Sequence, residues 1–186
     1  MAVARARRSA PTGTEPLPPR RRWRAITLAT LLLVPSYLSM LVGLVSAASD
    51  RQDRPNAGPY IAFGLALLPF VFIVLAFLSE HPRAPGAVIK AMVLAIVVGI
   101  PISALAQDAV TGFVAALGAG GTAALRPEPA SDWKTRWIAV LTATVGSFLL
   151  VRIAGEVALL LAPILPFTSL GVADHLAEGR SQRRAV

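Results

Sequence analysis

Arg152 and Glu156 are the two charged residues inside a long apolar stretch that runs from Trp137 to Val172. A charged side chain at mid-membrane depth costs about 2.5–3.5 kcal/mol on insertion scales, whereas a Leu or Ile returns about 0.3–0.6 kcal/mol. The two groups must therefore pair or reach water. Because they are four residues apart, they would share one face of a continuous helix.

This pair is compatible with one functional and two structural interpretations. It could form a proton- or ion-linked site, or Arg152 could bind an anion, since ionisable groups within membranes mark such sites. It could instead be an internal bridge or helix–helix contact. In the third interpretation, it marks an interfacial turn at which both side chains meet water.

No other pattern in the chain indicates chemistry. HExxH, paired-histidine zinc spacing and GxSxG are absent from the sequence. The two histidines, His81 and His175, stand alone in polar segments, and the lack of cysteine excludes a disulfide or thiolate metal site. We therefore expect no catalytic site, no metal site, no cofactor and no enzymatic activity.

The composition indicates a membrane protein. Of 186 residues, 55% are apolar, the mean hydropathy is +0.64, and the apolar residues fall in long uncharged runs. We predict an all-α polytopic transmembrane bundle of four to six spans, with a disordered basic, Pro- and Arg-rich tail over residues 1–22 and a basic C-terminal tail over 174–186. The predicted helices cover 23–48, 59–78, 87–106, 109–125 and 137–173, the last as one long helix or as a hairpin.

Small residues recur at every fourth position in the run from 109 to 125. Gly112, Ala116 and Gly120 would lie on one helix face, and such faces let membrane helices approach closely. A phosphate-binding loop is the alternative, but the GxGxxG spacing and a following Lys-Ser/Thr are missing. We predict that this run crosses the membrane as the tight hairpin partner of the preceding span, with Asp108 as a possible cap at its start.

The distribution of basic residues predicts the orientation. The formal net charge is +8, and seven basic residues precede position 25, which places the N-terminus in the cytoplasm. If residues 109–125 cross and the last run folds back, both termini are cytoplasmic and only Arg51, Arg54 and Arg152 lie at the outer side.

The basic residues beside the first span also predict partners and origin. They are expected to contact anionic lipid headgroups at about 1 kcal/mol per residue; these residues are Arg20, Arg21, Arg22 and Arg24. Nucleic acid is not expected, because interleaved aromatic residues and a folded reader are missing. Sixteen arginines against two lysines suggest a high-GC bacterial genome, and hence the bacterial inner membrane.

Two functions of different classes fit these observations. The first is a non-enzymatic accessory subunit that packs against a membrane-protein partner or a second copy through the Gly112, Ala116 and Gly120 face. The second is a carrier of a small solute, an ion or a lipid that uses Arg152 and Glu156.

Overall fold

The structure is a computed structural model that describes residues 19–48, 57–125 and 133–184, which are helical apart from short turns and contain no strand. Three stretches are long and apolar enough to span a membrane: Arg22–Gly43, Ala84–Ala106 and Trp133–Leu161. This finding indicates a membrane protein. The helices are α1 (Pro19–Ala48), α2 (Ala57–Ala66), α3 (Leu68–Leu78), α4 (Ala84–Ala106), α5 (Ala109–Ala124), α6 (Trp133–Ala154), α7 (Ala158–Leu161) and α8 (Ile164–Arg184).

Helix α1 begins earlier than the hydropathy pattern predicts. It starts at Pro19, where the fixed φ of proline suits the beginning of a helix. The last four residues of the predicted disordered tail are thus helical, and the basic cluster at 20–24 lies in the first turns of α1. The remainder of that tail, residues 1–18, lies outside the described residues.

The second apolar run, predicted as one span over 59–78, consists of two helices that meet at Leu67. Pro69 lies in the first turn of α3 and has no N–H to donate to the preceding turn. Hydroxyl groups of α1 bond to carbonyl groups of α2: Ser36 Oγ donates to the Gly64 carbonyl and Ser39 Oγ to the Tyr60 carbonyl, each at 2.6 Å. As a result α2 packs chiefly on α1, whereas α3 also packs on α4 and α5.

Helix α5 lies at the centre of the bundle. It packs against α3, α4, α6, α7 and α8, and most of its side chains from Thr111 onward are buried. It has 16 residues, fewer than the usual range of about 17–25 for a span. Other helices surround most of α5, so α5 does not have to match the full thickness of the bilayer as an outer helix does.

The predicted cap at the start of α5 is confirmed. The Asp108 carboxylate accepts hydrogen bonds from the Val110 amide at 3.0 Å and the Thr111 amide at 2.9 Å. Before it, Gln107 ends α4 in the left-handed conformation with φ +51°. The two residues together form a turn short enough to hold α4 and α5 side by side.

The last apolar run folds back on itself, which is one of the two arrangements that the sequence allows. Helix α6 ends at Ala154, Gly155 takes φ +57°, and a 3₁₀ turn covers Gly155–Val157. Leu165, near the start of α8, lies against both Gly146 of α6 and Gly118 of α5. Helix α8 therefore returns along α6, and it continues through the predicted polar tail to Arg184.

The Asp108 cap predicts a pH-dependent contribution to stability. Burial of the carboxyl group raises its pKa, but hydrogen bonds from the Thr111 hydroxyl and from the Thr111 and Val110 amides outweigh that effect and hold the pKa of Asp108 below its ordinary value of 3.8. A lowered folded-state pKa contributes stability above the unfolded-state value, and this contribution is lost as the pH falls through 3.8 and below.

We expect Asp108→Ala to lower the free energy of unfolding by about 1 kcal/mol at neutral pH, because it removes the cap. Asp108→Asn retains a capping oxygen without the titrating charge. Thermal unfolding in detergent should therefore show a difference in melting temperature between the wild type and Asp108→Asn that becomes smaller as the pH falls below 4. A difference in melting temperature that stays constant with pH would contradict the role assigned to the carboxylate.

Candidate functional site

Arg152 and Glu156 lie at the turn between α6 and α7, outside the packed interior. Arg152 is in the last turn of α6 and Glu156 is in the 3₁₀ turn, and both are exposed. The shared helix face that their spacing predicts does not form, because Gly155 at φ +57° turns the chain between them. Both side chains are thus exposed at a turn of the chain, and neither lies in the packed interior.

The predicted glycine face packs inside the chain. A Cβ added to Gly112 would lie 2.9 Å from the Gly99 carbonyl oxygen and closer still to the Ser103 side chain. Ala116 occupies the space that a side chain on Gly99 would need. The backbones of α4 and α5 therefore approach as closely as small residues allow.

The third member of the face, Gly120, packs at the junction of three helices. A Cβ on Gly120 would lie 2.6 Å from Phe72 Cζ of α3 and 2.7 Å from the Ala91 carbonyl oxygen of α4. Gly112 and Gly120 are thus buried in contacts with α4 and α3 of the same chain, and Ala116 is partly buried.

The hydroxyl groups of the interior bond mainly to carbonyl groups of their own helices. Thr122 Oγ1 donates to the Ala119 carbonyl at 2.7 Å and Ser147 Oγ to the Thr144 carbonyl at 2.6 Å. Among the described residues the buried polar side chains are all Ser or Thr, and no group of three or more His, Asp or Glu could hold a metal ion. The buried polar residues are Ser36, Ser79, Thr111, Thr122, Thr135, Ser147 and Ser169.

Basic and aromatic residues gather at one end of the bundle. The antiparallel contacts of α1 with α2 and of α4 with α5 bring the starts of α1, α4 and α6 to the same end. Trp133 and Trp137 at the start of α6 are exposed and form an edge-to-face pair, with ring centroids 6.4 Å apart. Exposed cations at this end are Arg20, Arg22, Arg24, Arg83, Lys134 and Arg136, and this pattern is typical of a membrane–water interface.

A groove that the sequence did not reveal lies between α3, α4 and α5. Its volume is about 480 Å³, and the residues that line it are apolar except for Ser103. Its lining includes Leu68 and Pro69, next to the break between α2 and α3, and α2 packs chiefly on α1 rather than on α4 or α5. Pro69 signals such a break, but a single sequence does not show the direction in which α2 leaves.

Comparisons with protein families, with curated proteins and with solved structures gave no match to this chain.

We expect Gly112→Ala and Gly120→Ala each to lower the free energy of unfolding by about 1–3 kcal/mol, the usual effect of overpacking a tight contact. Both added methyl groups would meet backbone or ring atoms that cannot move freely. In a chain of this size each kcal/mol corresponds to about 2–4 °C of melting temperature, which fluorescence-detected unfolding in detergent resolves.

Gly171→Ala is the matched control, because Gly171 lies within α8 and nothing lies within 4 Å of its added Cβ. Its melting temperature should stay level or rise, since Ala favours a helix over Gly by roughly 0.5–1 kcal/mol. Equal losses in all three variants would show that the α4–α5 contact has no special importance.

Proposed function

We propose that this chain is a non-enzymatic integral membrane protein of the bacterial inner membrane, and that it serves as a helix-packing accessory subunit of a membrane complex. The observation that carries the proposal is the content of its interior. Among the described residues that interior is aliphatic, small or hydroxyl-bearing, and no Asp, Glu, Lys, Arg or His is buried. A carrier of ions or protons would instead place ionisable groups along a path through the bundle.

The proposed topology has six crossings, with both termini in the cytoplasm. The crossings are α1, the pair α2 and α3, α4, α5, α6, and the returning pair α7 and α8. The grouping of cations at the end where α1, α4 and α6 begin supports this orientation, because cytoplasmic loops carry an excess of Lys and Arg. At the opposite end, Arg152 is the basic residue nearest to the α6–α7 turn.

The surface that we propose for a partner is the outer side of α4. This helix has the highest mean hydropathy of the three candidate spans and the smallest buried share. The side chains on this side that do not line the groove are large aliphatic groups; among them are Ile89, Val93 and Val97. A partner helix on this side would leave the internal glycine contacts undisturbed.

The proposed topology predicts opposite labelling of two sets of single cysteines. The chain has no cysteine, so Arg152→Cys, Glu156→Cys and Lys134→Cys each create one thiol at an exposed site. In intact cells a membrane-impermeant maleimide should label positions 152 and 156, and it should label 134 only after permeabilisation. The reverse result, or equal labelling at the two ends, would contradict the topology.

The accessory role predicts a stable complex in mild detergent. A photo-crosslinking amino acid at Val97 on α4 should capture one protein of defined mass, whereas the same residue at Leu141, exposed on α6, should not. The purified chain should show no solute- or proton-dependent flux in vesicles. A protein that is monomeric and uncrosslinked, and that by itself supports such flux, would favour the carrier over the subunit.

A further inference from the structure

The groove between α3, α4 and α5 has the dimensions of one lipid chain in one leaflet. Its lining extends along α4 from Met92 to Ser103, and the eleven helical steps between these residues rise about 16 Å. Half of a hydrocarbon core about 30 Å thick is about 15 Å. The groove therefore extends from near the middle of the bundle to the end at which the α4–α5 turn lies.

The groove opens sideways, toward the surroundings of the bundle. Met92, Ile96 and Ile100 line it and are exposed, while Gly99 and Gly112 form its buried floor. An apolar cavity without contents loses dispersion contacts along its walls. Because its open side faces the hydrocarbon of the bilayer, an alkyl chain is the molecule most available to fill it.

A partner helix is a less suitable occupant of the same space. The backbones of α4 and α5 are in close contact beneath the groove, so a helix, about 10–12 Å across with its side chains, could reach the floor only with individual side chains. A flexible chain of methylene groups can follow the apolar lining along its length.

The parts of this chain outside the described residues do not suit the groove either. Residues 1–18, 49–56 and 126–132 each contain both basic and acidic side chains, and charges are costly in an apolar environment. Only the two terminal residues, 185–186, are uncharged at their side chains. The occupant therefore comes from outside the chain.

We propose that this groove binds one acyl chain of a bilayer phospholipid, with the headgroup at the α4–α5 turn beside Gln107 and Asp108. Helix α2 packs chiefly on α1 and not on α4 or α5. The bound acyl chain would cover the apolar surface of α4 and α5 in the groove. In the orientation proposed above, the lipid belongs to the outer leaflet. The site is distinct from the outer side of α4 proposed for a partner, so each can be tested alone.

The test uses the full chain in phosphatidylcholine vesicles that contain a small fraction of phosphatidylcholine with a diazirine in the middle of one acyl chain. After illumination, mass spectrometry should find labels on Met92, Ile96 and Phe113 at about threefold or more above those on Val93 and Val97, which lie at similar depth on the outer side of α4. Uniform labelling of both sets would show only the surrounding lipid and would overturn the proposal.

Ala95→Phe places a ring in the groove, and Ala104→Phe places one on α4 at an exposed alanine that is not part of the lining. We expect Ala95→Phe to reduce groove labelling by about threefold or more, since the ring occupies the space, and Ala104→Phe to leave it unchanged. If Ala95→Phe fails to fold, Ala109→Phe replaces it, because Ala109 lines the groove and is exposed. Unchanged labelling in a folded groove-filling variant would also overturn the proposal.

Discussion

The close approach of the α4 and α5 backbones is the contact on which the rest of the bundle depends. Apolar attraction between helices is weak in lipid, because the surroundings are as apolar as the side chains. Dispersion contacts between closely packed surfaces must then supply much of the stability. Gly99, Gly112 and Ala116 allow this packing, and the short turn at Gln107 and Asp108 holds the two helices together while it forms.

A second requirement is that every backbone carbonyl within the bundle find a donor, since the membrane interior offers no water. Hydroxyl groups of α1 supply donors to carbonyl groups of other helices. Thr30 Oγ1 donates to the Leu160 carbonyl beside the α7–α8 break at 3.2 Å, and Ser36 and Ser39 donate to carbonyl groups within α2. Helix α1 thus contacts both α2 and the α7–α8 break through its hydroxyl groups. It is itself one uninterrupted helix, although it contains Pro35.

Hydropathy and small-residue spacing were sufficient to predict the all-helical class, the approximate extents of most helices, the Asp108 cap and the helix-packing character of residues 109–125. They were insufficient to predict the structure at the helix breaks, where the positions of side chains depend on the direction that the backbone takes after the break. The break at Leu67 within the second run could not be predicted, because Pro69 is compatible with a helix start as well as with a kink. The Arg152–Glu156 spacing is compatible with one helix face, and only the backbone at Gly155 separates the two side chains. The groove could not be predicted from the sequence, because it depends on how α3, α4 and α5 pack against one another.

The distribution of polar groups restricts where this protein can act. Its described interior is closed by glycine contacts and by hydroxyl groups bonded to nearby carbonyl groups, while its charges lie at the ends of the helices, where each avoids the cost of burial in hydrocarbon. A molecule that interacts with such a bundle meets it from the side, within the bilayer, or at its two polar ends. Membrane components, a neighbouring helix or a lipid, are the molecules that can reach the side, and they need no polar recognition to remain there.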